Sequence, residues 1–334
     1  MILSLFKLEP IARNSLRDHN AEIDTPHNNN EIDSPGAKAQ ESLIITNNNN
    51  FPKIAIQRTA GDGWNMINFS DNIEMIEDIC EIVTFTSTTG NSAKMCVHKE
   101  RDFVSNAIRR KKRWGDCDPL PRRWNASQQT TTGGTEKNEV YVEIGANIGS
   151  CVMEMLLSTD SNIVAFEPTL RNYQLLSKTI SLLGPEYQRR VALFPIGLGS
   201  ESAKSQVYSA KGNMGNSVVG KPIKDFPKQQ FDTAVDVFIE RIDSILSYNI
   251  SIPLMKLDAQ GFECNILDGM SPEIATNIQQ IKFELAQKWL RQQGCTDFLP
   301  HLRKFGFNIT NSKGGVITSD SVNCGVCDAY ATRE

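Results

Sequence analysis

From residue 139 onward, short apolar runs alternate with longer stretches of helical period. Residues 140–144 (VYVEI) form an apolar run that ends at a glycine, the mark of a buried strand. Residues 148–158 then read as a helix and 162–166 as a second strand. Leu170, Tyr173, Leu176, Ile180 and Leu183 recur at helical spacing, with Thr169 as N-cap and Gly184 as the stop. Residues 191–196, 233–238, 254–257 and 281–283 read as further strands. Residues 299–305 close a helix at Gly306, and 307–310 follow as a strand. This alternation predicts an α/β fold, Rossmann-like, with a mostly parallel seven-stranded sheet and helices on both faces.

The chain before residue 139 is patterned differently. Residues 11–50 are poor in apolar side chains and carry two Asn runs, at 28–30 and 47–50. Such a segment cannot bury enough apolar surface to offset its ordering entropy, so a disordered tail is expected. Residues 126–138 (ASQQTTTGGTEKN) read as a linker. The organisation expected is a tail at 1–50, a lead-in or cap region with linker at 51–138, and a catalytic domain at 139–334. Within the lead-in, residues 79–85 read as a strand and 101–112 as a helix. The basic run at 109–113 reads as a solvated helix face.

Composition narrows the classes. The 334 residues are 40% hydrophobic and 22% charged, which is ordinary for a globular protein able to bury a large core. A net charge of −4 gives no electrostatic reason to expect nucleic acid as a partner. No stretch approaches the roughly 20 apolar residues that a membrane helix needs. The apolar start of the chain is too short for the core of a signal peptide. The expectation is a soluble, cytoplasmic protein, or one of the secretory pathway if an anchor lies upstream. Eight cysteines are scattered along the chain and do not resemble the framework of a small disulfide scaffold. Cys324 and Cys327 form one CxxC where a zinc ribbon needs two, so they read as loose cysteines and no metal is expected. Four N-x-[ST] sequons begin at Asn68, Asn125, Asn249 and Asn308, and alone they settle no compartment.

The chemistry concentrates where the first strand of the alternating region meets its helix. There the sequence reads VYVEIGANIGS, with Glu143, Gly145, Ala146, Asn147 and Gly149. In open parallel sheets, ligands bind outside the carboxyl ends of the strands. Gly145 and Gly149 allow a tight turn and close approach of backbone to ligand. A dinucleotide fingerprint would read G-x-G-x-x-G; here Asn147 and Ser150 stand at the second and third glycine positions. A pyrophosphate also disfavours a carboxylate such as Glu143, whereas a cofactor carrying an ammonium and a sulfonium is attracted to it. Glu167 and Pro168 end the next strand (VAFEP), where a carboxylate can accept from both ribose hydroxyls. Asp258 ends the strand of PLMKLDAQGFE, and Glu284 ends IKFE. Glu263, at a helix start, reads equally well as a dipole partner.

These motifs resemble the FkbM family of methyltransferases over about residues 139–310. The VEIGANIG loop, AFEPTLRNYQLL, MKLDAQGFECNILDGM and IKFE carry the likeness. RIDSIL at 241–246 and NMGNS at 213–217 are similar to further family segments, and residues 95–114, with His98 and Trp114, resemble a eukaryotic lead-in. The resemblance implies a class I methyltransferase fold and S-adenosyl-L-methionine as cofactor. It implies methyl transfer, often to a hydroxyl of a sugar, glycan or small metabolite. The cofactor residues implied are Glu143, Gly145, Ala146, Asn147, Gly149, Glu167, Pro168 and Asp258. Asp258, Glu284 and His98 are the candidates for the base or for orienting the acceptor. Gln260 stands where many members have Glu, so base catalysis is not assigned to it. The alternatives are a nicotinamide-dependent oxidoreductase and a non-catalytic binding protein on the same fold.

Overall fold

The computed structural model describes residues 79–128, 138–210, 212–222, 231, 234–319 and 325–333. These fall within one compact unit, Gln40–Glu334. The expected tail at 1–50, residues 51–78 and most of the 126–138 linker lie outside the described residues.

The described chain opens with an antiparallel hairpin of β1 (Cys80–Thr86) and β2 (Ser92–His98). Helix α1 (Phe103–Lys111) follows, capped by Asp102, whose side chain accepts from the Ser105 N–H at 2.8 Å. A single 3-10 turn, Gly115–Cys117, leads into α2 (Leu120–Gln128). Alternation then begins with β3 (Asn138–Ile144), α3 (Ser150–Ser158), β4 (Asn162–Phe166), α4 (Leu170–Ser181), α5 (Pro185–Gln188) and β5 (Val191–Phe194). The chain leaves this sheet for β6 (Gly197–Leu198), β7 (Ala203–Tyr208), β8 (Val218–Val219) and β9 (Val235–Glu240), which form a four-stranded sheet of order β6-β9-β7-β8. After α6 (Ile242–Ile245) it returns as β10 (Ile250–Leu257), α7 (Glu263–Asp268), α8 (Pro272–Thr276) and β11 (Gln280–Leu285). It ends with α9 (Gln287–Gln292), α10 (Phe298–Lys304), β12 (Asn308–Asn311) and β13 (Cys327–Thr332).

The main sheet has seven strands in the order β12-β13-β11-β10-β3-β4-β5. It is mixed rather than purely parallel. β13 inserts antiparallel between β11 and β12, while β11, β10, β3, β4 and β5 pair in parallel. β13 was not anticipated from sequence, because its buried residues Ala329, Tyr330 and Ala331 are consecutive and give no alternating pattern. Among the described residues, no helix is long and apolar enough to cross a membrane.

Alternate residues of β3 serve two cores. Val140, Val142 and Ile144 join a cluster with Phe166, Leu257, Phe283 and the helices after β10. Tyr141 faces the other way, into a cluster shared with Val152, Leu176, and Met95, Ile108, Leu120 and Trp124 of the lead-in. The lead-in is therefore packed into the face of the sheet that carries Tyr141.

The cysteines correct the expectation drawn from their spacing. Cys80–Cys96 joins the hairpin, Cys117–Cys151 ties the 3-10 turn to the start of α3, and Cys264–Cys295 ties α7 to the segment after α9. Cys327 is disulfide-bonded too, and no described cysteine is free. The partners lie 16, 34 and 31 residues apart, so tertiary proximity rather than local spacing makes the pairs.

Candidate active site

Strand register brings the predicted acids to one level. Ile144 pairs with Phe166 and Leu257, and Leu257 pairs with Phe283. One residue further along each strand, Gly145, Glu167, Asp258 and Glu284 stand side by side at the carboxyl edge. Backbone hydrogen bonds fasten the edge. Gly145 and Ala146 N–H both donate to Phe166 C=O (3.0 and 2.9 Å), and Asp258 N–H donates to Ile144 C=O (3.0 Å).

The loop after β3 needs its glycine. Gly145 has φ +79°, and a Cβ there would sit 1.9 Å from the Asp258 carbonyl oxygen. Asn147 also adopts a left-handed conformation (φ 52°), which Asn tolerates better than most side chains. Its N–H donates to Glu167 Oε2 at 2.7 Å, and Glu167 Oε1 accepts from Thr169 N–H at 2.8 Å. Glu167 therefore braces the glycine loop and the start of α4 together. Thr169 makes no side-chain cap of its own.

These elements surround a cavity of about 360 Å³. Glu143, Gly145, Ala146, Asn147, Glu167, Pro168, Asp258 and Glu284 all line it. Gly149 stands behind the lining, where a Cβ would meet Leu176 Cδ1 at 2.2 Å. His98 does not join the group. It is buried, its Nε2 lies 2.9 Å from Asn172 Oδ1, and it borders a separate small cavity with Glu100 and Arg171. Burial lowers its pKa, against the pull of Asp102. Glu263 serves the turn: its Oε1 accepts from the Ala259 and Gly261 N–H groups.

Sequence reasoning missed the cations that hold these acids. Lys256 and Lys282 are adjacent across β10 and β11 and only 5% and 2% exposed. Two neighbouring buried ammoniums are tolerable only with several anions. Lys256 Nζ donates to Asp258 Oδ2 at 2.9 Å and lies 3.9 Å from Glu143 Oε1. Lys282 donates to Asp116, in the 3-10 turn of the lead-in, and to Asp328 on β13. Burial alone would lower the pKa of Lys256, but Asp258, Glu143 and Asp116 outweigh it and hold it above the usual lysine range. Burial pushes the Glu143 carboxyl up to about 7, against Lys256 and the Tyr141 hydroxyl. Burial, with Asp258 beside it, likewise pushes Glu284 up to about 7. The sequence signal available was a lysine inside each of two apolar strands, LMKL and IKFE. Lys282→Met would strand Asp116 and Asp328 together. Losing one partner of a buried ionic group typically costs about 3–5 kcal/mol, so a clear drop in chemical-denaturation midpoint is expected.

Gln260 completes the site. Its Nε2 donates to Asp258 Oδ1 at 2.6 Å and to Glu284 Oε2 at 3.3 Å, a bridge a carboxylate could not make. Its Oε1 is buried with no hydrogen-bond partner, and its backbone is left-handed at φ 52°. At the rim, the Phe103 ring is 60% exposed and stands edge-on to Trp114, with ring centroids 5.6 Å apart. Met214 to Ser217 close another side, with the Met214 N–H donating to Asp102 Oδ1 at 3.0 Å. The cavity is rich in acceptors. Glu143, Asp258 and Glu284 would repel a pyrophosphate and attract an ammonium or sulfonium, so the donor set fits a cationic cofactor.

Residues 143–309, half of the chain, match the family model described as Methyltransferase FkbM domain. Compared with curated proteins, the chain matches none. Among solved structures it is distantly similar to the precorrin-6y C5,15-methyltransferase of Geobacter metallireducens (10% identity, 63% of this chain and 88% of that one, TM-score 0.30). It is similar also to P. horikoshii TYW2 in complex with MeSAdo (11% identity, 75% and 69%, TM-score 0.32). A third likeness is to a SAM-dependent O-methyltransferase of Thermotoga maritima (10% identity, 76% and 77%, TM-score 0.32).

Proposed function

The chain belongs to the FkbM family of methyltransferases, and from that premise we propose that it transfers a methyl group from S-adenosyl-L-methionine to a hydroxyl of a sugar, glycan or small metabolite. The observation that carries the reading is the joining of Asp258, Gln260 and Glu284 by hydrogen bonds inside the cavity that the glycine loop lines.

The cofactor supplies a methyl group activated by a sulfonium. Glu143 and Asp258 offer negative charge to its cationic end, and Glu167 offers lone pairs for its ribose hydroxyls while bracing the loop. The unpartnered Gln260 Oε1 can accept one further donor from cofactor or acceptor. The main task left to the protein is positioning, because an in-line displacement needs the acceptor oxygen at near-attack distance with water excluded. Glu284 suits the base. Its pKa of about 7 leaves much of it ionised near neutral pH, and among the described residues its side chain accepts a single hydrogen bond, the long one from Gln260. Asp258 is committed to Lys256 and Gln260 on its two oxygens, and so orients more than it abstracts. The exposed Phe103 ring and Trp114 offer an apolar face against which sugar C–H groups can lie.

Screening hydroxyl acceptors with isotopically labelled cofactor, followed by mass spectrometry of the product, tests the reading. Labelled product is expected. Binding of the cofactor by calorimetry with no transfer to any acceptor would favour a non-catalytic binding role instead. With an acceptor in hand, turnover should rise with pH through about 7 and then level, because Glu284 accepts a proton only when ionised. Glu284→Gln should cost about a hundredfold in kcat and remove that limb. A limb retained in the variant would assign it to another group.

A further inference from the structure

We propose that this protein carries N-linked glycans on Asn125, Asn249 and Asn308 and matures in an oxidising, glycosylating compartment, which departs from the cytoplasmic expectation. Two independent observations carry the proposal, and neither depends on the methyl-transfer reading.

The first is the state of the cysteines. Three bridges and a disulfide-bonded Cys327 leave no free thiol among the described residues. Disulfides form and persist in oxidising compartments and are rare where glutathione and thioredoxin keep thiols reduced. Each bridge forms by exchange with a disulfide-carrying oxidoreductase. The two protein thiols give up two electrons and two protons, and the oxidoreductase leaves as a dithiol.

The second is where the sequons lie. Asn125, Asn249 and Asn308 are all exposed in the folded chain. The hydroxyl residues two positions on are covered: Ser127 is 3% and Ser251 5% exposed, and Thr310 is half-buried. The hydroxyl is needed only while the chain is still unfolded, whereas the asparagine must stay in solvent afterwards. This split burial meets both conditions.

All three asparagines also lie at the same end of the molecule. Asn249 immediately precedes β10, whose first residue Ile250 pairs with Asn138, the first of β3. Asn308 opens β12 and is level, through Thr332 of β13, with Gln280, the first residue of β11. Helix α2, which carries Asn125, is held to that same residue by Arg123, whose Nη1 donates to Gln280 Oε1 at 3.1 Å. The three acceptors thus cluster at the amino-terminal edge of the sheet, while the cavity opens at the carboxyl edge. Bulky, hydrated glycans can be carried there without crowding the cleft.

In the modification, the asparagine amide nitrogen attacks the anomeric carbon of an oligosaccharide carried on a lipid pyrophosphate. A C–N bond forms, the C–O bond to pyrophosphate breaks, the nitrogen gives up one proton, and the lipid pyrophosphate leaves.

The test uses the full-length protein purified from its own cells without reductant. Free thiols are alkylated first. The glycans are then removed with peptide-N-glycosidase in water enriched in heavy oxygen, and the peptides are sequenced by mass spectrometry. Heavy-oxygen aspartate is expected at 125, 249 and 308, with no alkyl label on Cys80, Cys96, Cys117, Cys151, Cys264, Cys295 or Cys327. An unconverted asparagine removes that position from the proposal. Unconverted asparagines at all three, or alkylated cysteines in those pairs, overturn it.

Discussion

Asp258→Ala is expected to lower turnover by at least about a thousandfold while leaving part of the cofactor affinity in place. The size follows from how much the one carboxylate holds. It neutralises Lys256 at 2.9 Å and anchors the Gln260 amide at 2.6 Å, and through that amide it sets the position of Glu284. Its removal frees the Lys256 ammonium to turn toward Glu143 and lets Gln260 swing away from Glu284. Misplacement of about 1 Å can alone cost about a hundredfold, and mispositioning a base adds to that. Cofactor affinity should fall less, because Glu143, Glu167 and the glycine loop do not depend on the lost side chain. Stopped-time product assays and calorimetry on the same preparation separate the two. Turnover unchanged in Asp258→Ala would remove this residue from the mechanism. Asp258→Asn should recover the link to Gln260 but not the charge, and so fall between.

Gly145→Ala should abolish measurable cofactor binding and destabilise the fold by about 3 kcal/mol. The added Cβ would lie 1.9 Å from a backbone oxygen, that of Asp258, so no rotamer change can relieve the overlap. The strand ends must part, and with them the loop and the Asp258 carboxylate. Gly90→Ala is the control. It has φ +88° and open space around the would-be Cβ, so it carries the conformational penalty without the collision. Denaturation curves for both variants should show Gly145→Ala losing clearly more. Equal losses would mean that only the left-handed backbone matters.

The parts of this site that were legible in the sequence are those written locally. A glycine forced by a left-handed turn, and an acid one residue past an apolar run, are both properties of a few neighbouring residues. Parallel register then does the rest, since aligned strand ends bring Glu167, Asp258 and Glu284 to one level. What was not legible depends on long-range pairing. Lys282 meets Asp116 across 166 residues and Asp328 across 46, and nothing near either acid announces a lysine. The disulfides escaped for the same reason. β13 escaped because its buried residues are consecutive, as is common for a strand covered on both faces. Gly184 shows a smaller version of the problem. It looked like a helix stop, yet α4 already ends at Ser181, and Gly184 at φ −64° caps the start of α5. His98 had the right chemistry for a base, but only the fold could show that its ring turns toward Asn172 and stays out of the cavity.

The shared core beneath β3 bears on how this cleft could be transplanted. The family match begins at residue 143, which invites a cut just before β3. Such a fragment would leave Cys151 without Cys117, Lys282 without Asp116, and the Tyr141 face of the sheet without Met95, Ile108, Leu120 and Trp124. The smallest portable unit therefore starts no later than Cys80. Chimaeras that exchange acceptor preference should be joined at the rim, around Phe103 and residues 213–217, rather than at the family boundary.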